Sequence, residues 1–157
     1  MTPSRTFYSS PIGVLEIAGT ADAIVAVNFV DESPPPPAAD PPPILRECVA
    51  QLDAYFRGEL QTFTLNLQPQ GTPFQQAVWQ ALTGIPFAQT VSYADIARRI
   101  ERPRAFRAVG SATGKNPISI LIPCHRVIGS DGSLTGYGGG LWRKEWLLAH
   151  ERRVAGG

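Results

Sequence analysis

The apolar positions near the N-terminus follow the pattern of a small sheet. Residues 14–18 and 24–29 are rich in β-branched side chains, and turn-forming residues at 19–22 separate the two runs. This arrangement predicts a β-hairpin. Residues 63–67 carry a similar, shorter pattern and predict one more strand before the glycine at 71.

Most of the remaining apolar positions recur at helical spacing between helix start and stop signals. Thr72 followed by Pro73 is a typical N-cap and first-turn pair, and Ser92 is a second N-cap candidate. Pro103 is interpreted as the first residue of a further helix, which ends at Gly114. The predicted helices span residues 44–57, 74–82, 93–100 and 104–113.

A proline-rich segment interrupts this pattern between the hairpin and the first helix. Seven prolines lie within residues 33–43, which excludes a helix or a central strand and predicts an extended, exposed loop. The predicted fold class is therefore α/β, of the α+β type. An N-terminal lobe, residues 1–70, combines a small antiparallel sheet with a helix. A mostly helical C-terminal lobe, residues 71–157, contains a helix-turn-helix.

The second helix of the predicted helix-turn-helix carries unusually many small side chains. It carries Ala105, Ala108, Gly110 and Ser111, and its long polar side chains are arginines. A helix that reads the major groove of DNA usually carries several long hydrogen-bonding side chains. The small residues therefore favour close backbone approach to the narrower minor groove. Tight helix-helix packing is the alternative explanation.

Composition and charge narrow the class of protein. Of 157 residues, 43% are apolar and 17% are charged, which is typical of a folded chain. No apolar run reaches the roughly 20 residues of a membrane span. Residues 1–73 carry a net charge of −5 and residues 74–157 a net charge of +6. The basic half suggests a polyanionic partner, although a solvated basic surface gives the same asymmetry.

Cysteine use and the start of the sequence favour a reducing compartment. Cys48 and Cys124 are too few for a disulfide scaffold. The residues after Met1 contain neither the apolar segment of a secretory signal nor a transit-peptide pattern. We therefore expect an intracellular protein, cytoplasmic, or nuclear if the source is eukaryotic.

The segment 116–127 carries the candidate chemistry. An apolar run ends at Pro123 and is followed by Cys124, His125 and Arg126. A thiol of ordinary pKa is mostly protonated at neutral pH, so a nucleophilic cysteine needs a neighbouring base or cation. His125 and Arg126 are candidates for both roles. An inert core thiol beside a structural histidine is the alternative. Two cysteines and two histidines without paired spacing do not make a standard zinc site.

The sequence IPCHRV around Cys124 resembles the active-site motif of the O6-alkylguanine-DNA alkyltransferases, also called methylated-DNA–protein-cysteine methyltransferases. The resemblance extends over the whole C-terminal half and more weakly over the N-terminal hairpin. The matching segments are TPFQQAVWQAL (72–82), SYADIA (92–97), RAVG (107–110), KNP (115–117), GYGGGL (136–141) and KEWLLAHE (144–151).

The resemblance implies a catalytic role for five residues. Cys124 accepts the alkyl group from O6 of a damaged guanine and keeps it as a thioether, so the protein acts once. His125, oriented by Glu151, draws the proton from Cys124 through a water. Asn116 holds the active-site turn, and Tyr93 donates to N3 of the guanine.

The resemblance also implies a substrate pocket and a DNA-binding face. Val127, Tyr137, Gly138 and Trp79 are expected to line the pocket. Arg107 is expected to enter the base stack in place of the flipped nucleotide, because the target atom lies inside the duplex. The residues expected to contact DNA are Tyr93, Ala105, Arg107, Ala108, Gly110, Ser111 and Arg126.

The implied partner is double-stranded DNA containing O6-alkylguanine, approached from the minor groove by a monomer, with O4-alkylthymine as a second candidate substrate. We expect no cofactor, no metal and no membrane.

Two other classes of protein stay open on the residues alone. A lesion-recognition protein without transfer chemistry lacks the acceptor cysteine, and a cysteine hydrolase needs an oxyanion hole that the sequence does not reveal.

Overall fold

Three consecutive strands form an antiparallel N-terminal sheet in the order β1-β2-β3. They are β1 (Ser4–Ser10), β2 (Gly13–Gly19) and β3 (Ile24–Val30). The computed structural model describes residues 3–31 and 40–156. The predicted hairpin is confirmed as β2 and β3, in which Val14 lies opposite Val30. β1 is an additional edge strand, with Ser4 opposite Gly19 and Ser10 opposite Gly13.

Helix α1 (Pro43–Phe56) packs against the three strands. It begins one position before the predicted start, because Pro43 occupies the first turn, where its missing N–H is tolerated. Leu45, Cys48 and Leu52 lie on this helix and are fully buried. Residues 33–39 of the predicted proline-rich loop lie outside the described residues.

The strand predicted at residues 63–67 is wrong. Within it only Leu67 makes a β-bridge, parallel to Ile24. Phe63 instead packs its ring against Tyr55 of α1, with 5.5 Å between the ring centroids. The segment therefore contacts α1 through Phe63 and pairs with β3 only at its end, where Ile24 N–H donates to the Asn66 carbonyl at 2.9 Å.

Three helices, α2 (Pro73–Thr83), α3 (Tyr93–Arg99) and α4 (Phe106–Gly114), pack against one another in pairs. Both predicted N-caps are confirmed. Thr72 accepts from the backbone N–H of Gln75 at 3.1 Å, and Ser92 accepts from that of Asp95 at 3.0 Å. In each case the third residue bonds back to the cap, which completes a capping box.

Helix α4 begins later than the sequence predicts. Pro103 does not start it, because residues 103 and 104 form a turn in which Ala105 N–H donates to the Arg102 carbonyl at 2.9 Å. Ala105 is then the N-cap and Phe106 the first helical residue. Glu101, just before this turn, adopts a left-handed φ of 61°. The connection between α3 and α4 is therefore longer than the sequence predicts, because Pro103 belongs to the turn and not to the helix.

The C-terminal part adds a short parallel strand pair and a long helix. β4 (Val91–Ser92) pairs with β5 (Val127–Ile128), a 3₁₀ helix spans Cys124–Arg126, and α5 spans Leu141–Gly156. The predicted fold class, a sheet lobe with one helix followed by a helical lobe with a helix-turn-helix, is confirmed.

The chain divides into two compact units. The first comprises Met1–Pro69 together with Pro117–Ser119, and the second comprises Gln70–Asn116 and Ile120–Gly157. The short segment belongs to the first unit because its backbone brackets Val27. Val27 N–H donates to the Pro117 carbonyl, and Ser119 N–H donates to the Val27 carbonyl, both at 2.9 Å. Every residue of the candidate site below belongs to the second unit.

Candidate active site

Cys124 lies at the end of a buried and strained turn. Ile120, buried at 1% exposure, has a φ of 71°, a left-handed conformation that a β-branched residue rarely adopts. Cys124 begins the 3₁₀ helix, and its N–H donates to the Ile122 carbonyl at 2.8 Å. Backbone strain of this kind persists where the surrounding packing enforces it, and it clusters at functional sites.

Asn116 joins the two ends of this turn. Its Nδ2 donates to the Ile122 carbonyl at 2.8 Å. Its side chain also favours the ionised form of the Cys124 sulfur, through a hydrogen bond that lowers the pKa of the thiol. One amide group therefore fixes the backbone just before the cysteine and lowers the pKa of its thiol.

A buried cluster of charged and polar groups surrounds Glu151 on α5. His125 Nε2 lies 2.7 Å from Glu151 Oε2. Arg126 donates from Nε to Oε1 at 2.8 Å and from Nη2 to Oε2 at 3.0 Å. The backbone N–H of Ala88, itself in a left-handed conformation, donates to Oε1 at 3.1 Å. Both carboxylate oxygens are thus held in place by hydrogen-bond donors.

The electrostatics of this cluster assign a charge to each member. Burial disfavours the charge of Glu151, but hydrogen bonds from His125 and Arg126 outweigh it and hold the pKa of Glu151 well below its ordinary value. Burial lowers the pKa of His125 despite the adjacent carboxylate. Arg126 is therefore the counter-ion of an ionised Glu151, and His125 is neutral.

The neutral His125 has a defined tautomer. An imidazole that donates its Nε2 hydrogen to Glu151 leaves Nδ1 as a proton acceptor. Nδ1 is buried and has no hydrogen-bond partner within the part of the chain that the structure describes. The ring therefore keeps one free basic nitrogen next to the cysteine in sequence.

Arg126 does not lie where the sequence prediction places it. Its side chain is buried, because besides Glu151 it binds the Ile85 carbonyl through Nη1 at 2.8 Å. The Phe87 ring covers the guanidinium, with 5.7 Å between Arg126 Cζ and the ring centroid. The expected contact between Arg126 and DNA is corrected: this arginine supports the carboxylate inside the fold.

Lys144 is a site residue that the sequence reasoning missed. It is fully buried on α5, and its Nζ donates to the Thr135 carbonyl at 2.8 Å. The same carbonyl accepts from the hydroxyl of Tyr93 at 3.2 Å. Lys144 precedes Glu151 by two helical turns, so both fall on one face of a helix. That spacing within KEWLLAHE was the available signal.

The thiol of Cys124 is held between opposing influences. Burial raises the pKa of Cys124. The hydrogen bond from Asn116, the positive charge of Lys144 and nearby backbone N–H groups oppose this and favour the thiolate. Burial also lowers the pKa of Lys144, while the cysteine favours its charged form. Burial is the largest of these influences, so the pKa of Cys124 lies above its ordinary value, and Asn116 and Lys144 limit that rise.

We predict that Lys144→Met slows alkylation of Cys124 at neutral pH by about tenfold, because the thiolate loses its neighbouring cation. The pH at which the reaction is half-maximal should move upward. The measurement is the rate of iodoacetamide labelling of Cys124 against pH, followed by peptide mass. Lys115→Met, which removes an exposed lysine, should leave the profile unchanged. Equal profiles for Lys144→Met and the unmodified protein would contradict the electrostatic role.

Tyr93 stands at the start of α3 and shares a hydrogen-bond network with the loop before α5. Thr135 donates from Oγ1 to the Tyr93 hydroxyl at 3.1 Å, and its carbonyl accepts from both Tyr93 and Lys144. The sequence reasoning did not single out Thr135. Through this residue the phenol is tied to the lysine that neighbours Cys124.

The four residues assigned to a substrate pocket occupy different environments. Val127 is buried in β5 opposite Val91. Tyr137 is half-buried with its hydroxyl covered, and Gly138 is exposed. A Cβ added to Gly138 would lie 3.9 Å from the Gly114 carbonyl, so the position has room for a small side chain.

Trp79 belongs to the core rather than to a pocket, which corrects the prediction. It is 2% exposed, and its Nε1 donates to the Ala112 carbonyl at 2.8 Å. Its ring also lies against Gly71, where an added Cβ would approach it to 2.5 Å. Trp79 of α2 therefore holds α4 in place from the buried side of that helix.

The outer face of α4 carries the residues predicted to approach DNA. Arg107, Ala108 and Ser111 are exposed, and Ala105 and Gly110 are half-buried. A Cβ added to Gly110 would lie 3.8 Å from the ring of Tyr93, which is ordinary contact. The small side chains are thus of two kinds, some open to solvent and some against α3.

Neither a metal centre nor a membrane span is found in residues 3–31 and 40–156. No group of three or more His, Cys, Asp or Glu side chains is arranged to hold an ion. No helix there has the length and apolar character to cross a bilayer.

The chain matches two family models that together cover most of it. Residues 73–153 match the DNA binding domain of 6-O-methylguanine DNA methyltransferase, and residues 4–69 match its ribonuclease-like domain.

Similar proteins carry consistent names. A methylated-DNA–protein-cysteine methyltransferase of Mycolicibacterium paratuberculosis is 50% identical over 147 residues, 92% of this chain and 89% of that protein. One of Methanosarcina barkeri is 48% identical over 147 residues, 90% and 92% respectively. The crystal structure of Mycobacterium tuberculosis O6-methylguanine methyltransferase superposes with a TM-score of 0.85 at 44% identity, covering 96% of this chain and 94% of that one. A structure of the Mycobacterium tuberculosis protein in complex with DNA gives a TM-score of 0.85 at 45% identity, covering 94% and 93%.

Proposed function

The chain belongs to the 6-O-methylguanine DNA methyltransferase family, and from this we propose that Cys124 is its alkyl acceptor. The resemblance seen in the sequence is thereby confirmed. The protein is a methylated-DNA–protein-cysteine methyltransferase that binds DNA and repairs it by transferring an alkyl group to its own cysteine. The roles of individual residues below are our proposals.

The observation that carries the assignment of Cys124 is the set of groups around its sulfur. Asn116 and the positive charge of Lys144 oppose the rise in the pKa of Cys124 that burial causes, and the neutral His125 follows the cysteine directly. Cys48, the other cysteine, has no such neighbours, and burial alone raises its pKa to about 12. Of the two cysteines, Cys124 is the one with neighbouring groups that favour the thiolate.

The proposed reaction is a displacement at carbon in which all atoms are accounted for. Cys124 gives its proton toward Nδ1 of His125, directly or through a water, and Glu151 and Arg126 hold the ring in place. The sulfur attacks the alkyl carbon, the new S–C bond forms, and the bond between that carbon and O6 of guanine breaks. The electron pair of that bond stays on the purine.

Tyr93 assists the leaving purine in this proposal. Its hydroxyl donates a hydrogen bond to N3 of the guanine and so stabilises the negative charge that develops on the base as the bond to the alkyl carbon breaks. The proton that left Cys124 balances this charge when the purine leaves. In the free protein the Tyr93 hydroxyl donates to the Thr135 carbonyl, which also accepts a hydrogen bond from Lys144 Nζ. Exchange of that carbonyl for the guanine N3 is a local rearrangement of one hydrogen bond.

The pocket and the DNA face complete the proposal. The backbone carbonyls of Cys124 and Val127 accept from the exocyclic amine, and the backbone near Tyr137 and Gly138 closes the pocket around O6. The guanine reaches the pocket only after flipping out of the duplex, and Arg107 fills the vacated space from the minor groove. Residues 71–157 thus carry both DNA binding and transfer.

A monomer is sufficient for this chemistry, because all proposed groups lie in one chain. Because the substrate is DNA, we propose that the protein acts inside the cell, in the cytoplasm. O4-alkylthymine is the second substrate that we propose to test.

The test is intact mass spectrometry with peptide mapping after mixing the protein with a duplex that contains one O6-methylguanine. We expect the mass of one added methylene at Cys124, saturating at one per chain. Tight binding without a mass change would instead indicate a lesion-recognition protein. Repeated turnover of an ester or peptide would indicate a hydrolase.

A further inference from the structure

Phe106, the first residue of α4, exposes an aromatic ring that the catalytic proposal does not use. Its exposed fraction is 47%, and within the described residues the only other large apolar side chains so exposed are Leu141 and Trp142 on α5. A single exposed apolar side chain is not unusual by itself. The position of Phe106 is informative because it lies directly beside Arg107.

The two side chains lie together. Arg107 Cζ is 5.9 Å from the centroid of the Phe106 ring, within the range of a cation–π contact. Consecutive helical residues normally diverge around the helix, so this contact brings both side chains to one side of the N-terminal end of α4. A partner reached by Arg107 is therefore within reach of the ring.

The surroundings of the ring identify the chemistry of that partner. Arg102, Arg104 and Arg107 are all exposed in this stretch, and Glu101 is the one acidic residue near them in sequence. A partner must be anionic to face these guanidinium groups and must also present flat apolar surface to the ring. Nucleic acid combines a phosphate backbone with base faces that stack on aromatic side chains.

We propose that Phe106 is a second wedge beside Arg107, stacking on a base face that is left uncovered when the damaged guanine flips out. This inference rests on the proposed function. Extrusion of a nucleotide costs unstacking and unpairing energy. Apolar side chains inserted from the minor groove at an opened base step are a known way to offset such a cost. Arg107 fills the vacated space, and Phe106 covers the neighbouring base.

The helix around this pair is shaped for such an approach. Ala105 and Ala108 flank the pair with short side chains, so the helix end can move close to the groove. Trp79 holds α4 from the opposite side through its hydrogen bond to Ala112. Phe106 is thus a positioning residue. It contacts the duplex beside the lesion and raises the rate of repair by stabilising the state in which the guanine is flipped out.

The test compares repair of O6-methylguanine in a duplex with repair in a single-stranded oligonucleotide of the same sequence, under single-turnover conditions. Phe106→Ala should slow duplex repair by about 5- to 150-fold, the effect of about 1 to 3 kcal/mol for one stacked base. Repair of the single strand, which has no paired base to extrude, should change far less. Phe106→Leu keeps an apolar wedge and should lie between Phe106→Ala and the unmodified protein.

Two control variants separate stacking from other effects. Trp142→Ala removes another exposed aromatic ring, which Arg143 covers at 4.7 Å, and should leave the duplex-to-single-strand ratio unchanged. Arg104→Ala removes a charge near the ring. It should weaken binding in a salt-dependent way and reduce the salt slope by about one, whereas Phe106→Ala should leave the slope intact.

The inference is overturned if Phe106→Ala keeps the ratio of the unmodified protein, or if it slows both substrates equally. The first result means that the ring does not contact the duplex, and the second that it shapes the pocket. Failure of the proposed function is distinguishable, because the unmodified protein would then transfer no alkyl group from either substrate.

Discussion

Replacing Cys124 by alanine abolishes alkyl transfer, because the substitution removes the atom that must form the new bond. No neighbouring side chain replaces it: Asn116 is an amide, and Lys144 is buried with its Nζ donating to the Thr135 carbonyl. Binding to O6-methylguanine DNA should persist, since the residues of α4 are untouched. The measurement pairs intact mass after reaction with the equilibrium affinity for the damaged duplex.

Cys48→Ala is the matched control for this experiment. Cys48 is buried in α1, and its raised pKa makes it inert at neutral pH. The variant should react to one alkyl group per chain at an unchanged rate. Any transfer to Cys124→Ala, or loss of transfer in Cys48→Ala with the fold intact, would contradict the assignment of the acceptor.

Features determined by neighbouring residues could be predicted from the sequence. Thr72 and Ser92 cap their helices because cap, first turn and third residue lie within four positions of one another. The β2–β3 hairpin is equally local. The identification of Cys124 came from a short motif and from a resemblance, since the chemistry of a cysteine beside a histidine does not by itself distinguish transfer from hydrolysis.

Features determined by distant partners could not be predicted in this way. Arg126 follows Cys124 and His125, and a basic residue there suggests a surface contact with DNA. Its actual partner, Glu151, is 25 positions away and buries it. The burial of Lys144 has the same cause: its spacing from Glu151 places both side chains on one face of the helix, but the sequence does not show what covers that face.

Strands and cores show the same limit. β1 has the sequence SRTFYSS, with little apolar alternation, and it is a strand because β2 offers it a free edge. The family resemblance places Trp79 in the pocket, yet its indole donates to the Ala112 carbonyl of α4. Tertiary contact rather than local preference decides the role of both segments.

Replacing Glu151 by glutamine should impair stability and transfer together. The substitution leaves the buried Arg126 without its counter-ion, and breaking such a pair costs about 3 to 5 kcal/mol. His125 loses the carboxylate that accepts its Nε2 hydrogen. The hydrogen can then sit on Nδ1, which no longer accepts the proton of Cys124. We expect transfer to slow by about 10²- to 10⁴-fold, the usual contribution of a positioned base. Chemical denaturation and single-turnover repair measure the two effects.

The pH dependence separates the charge of Glu151 from its shape. Because folding lowers its pKa, the carboxylate stabilises the fold at pH values above the ordinary range of glutamate, about 4.3, and this stabilisation is lost as the pH falls toward the folded value. The stability difference between the unmodified protein and Glu151→Gln should therefore shrink in acid. Glu145→Gln, an exposed acid on the same helix, should change neither stability nor rate. If Glu151→Gln, compared at equal folded fraction, repairs as fast as the unmodified protein, then His125 does not need the carboxylate, and the proposed proton path through its Nδ1 is wrong.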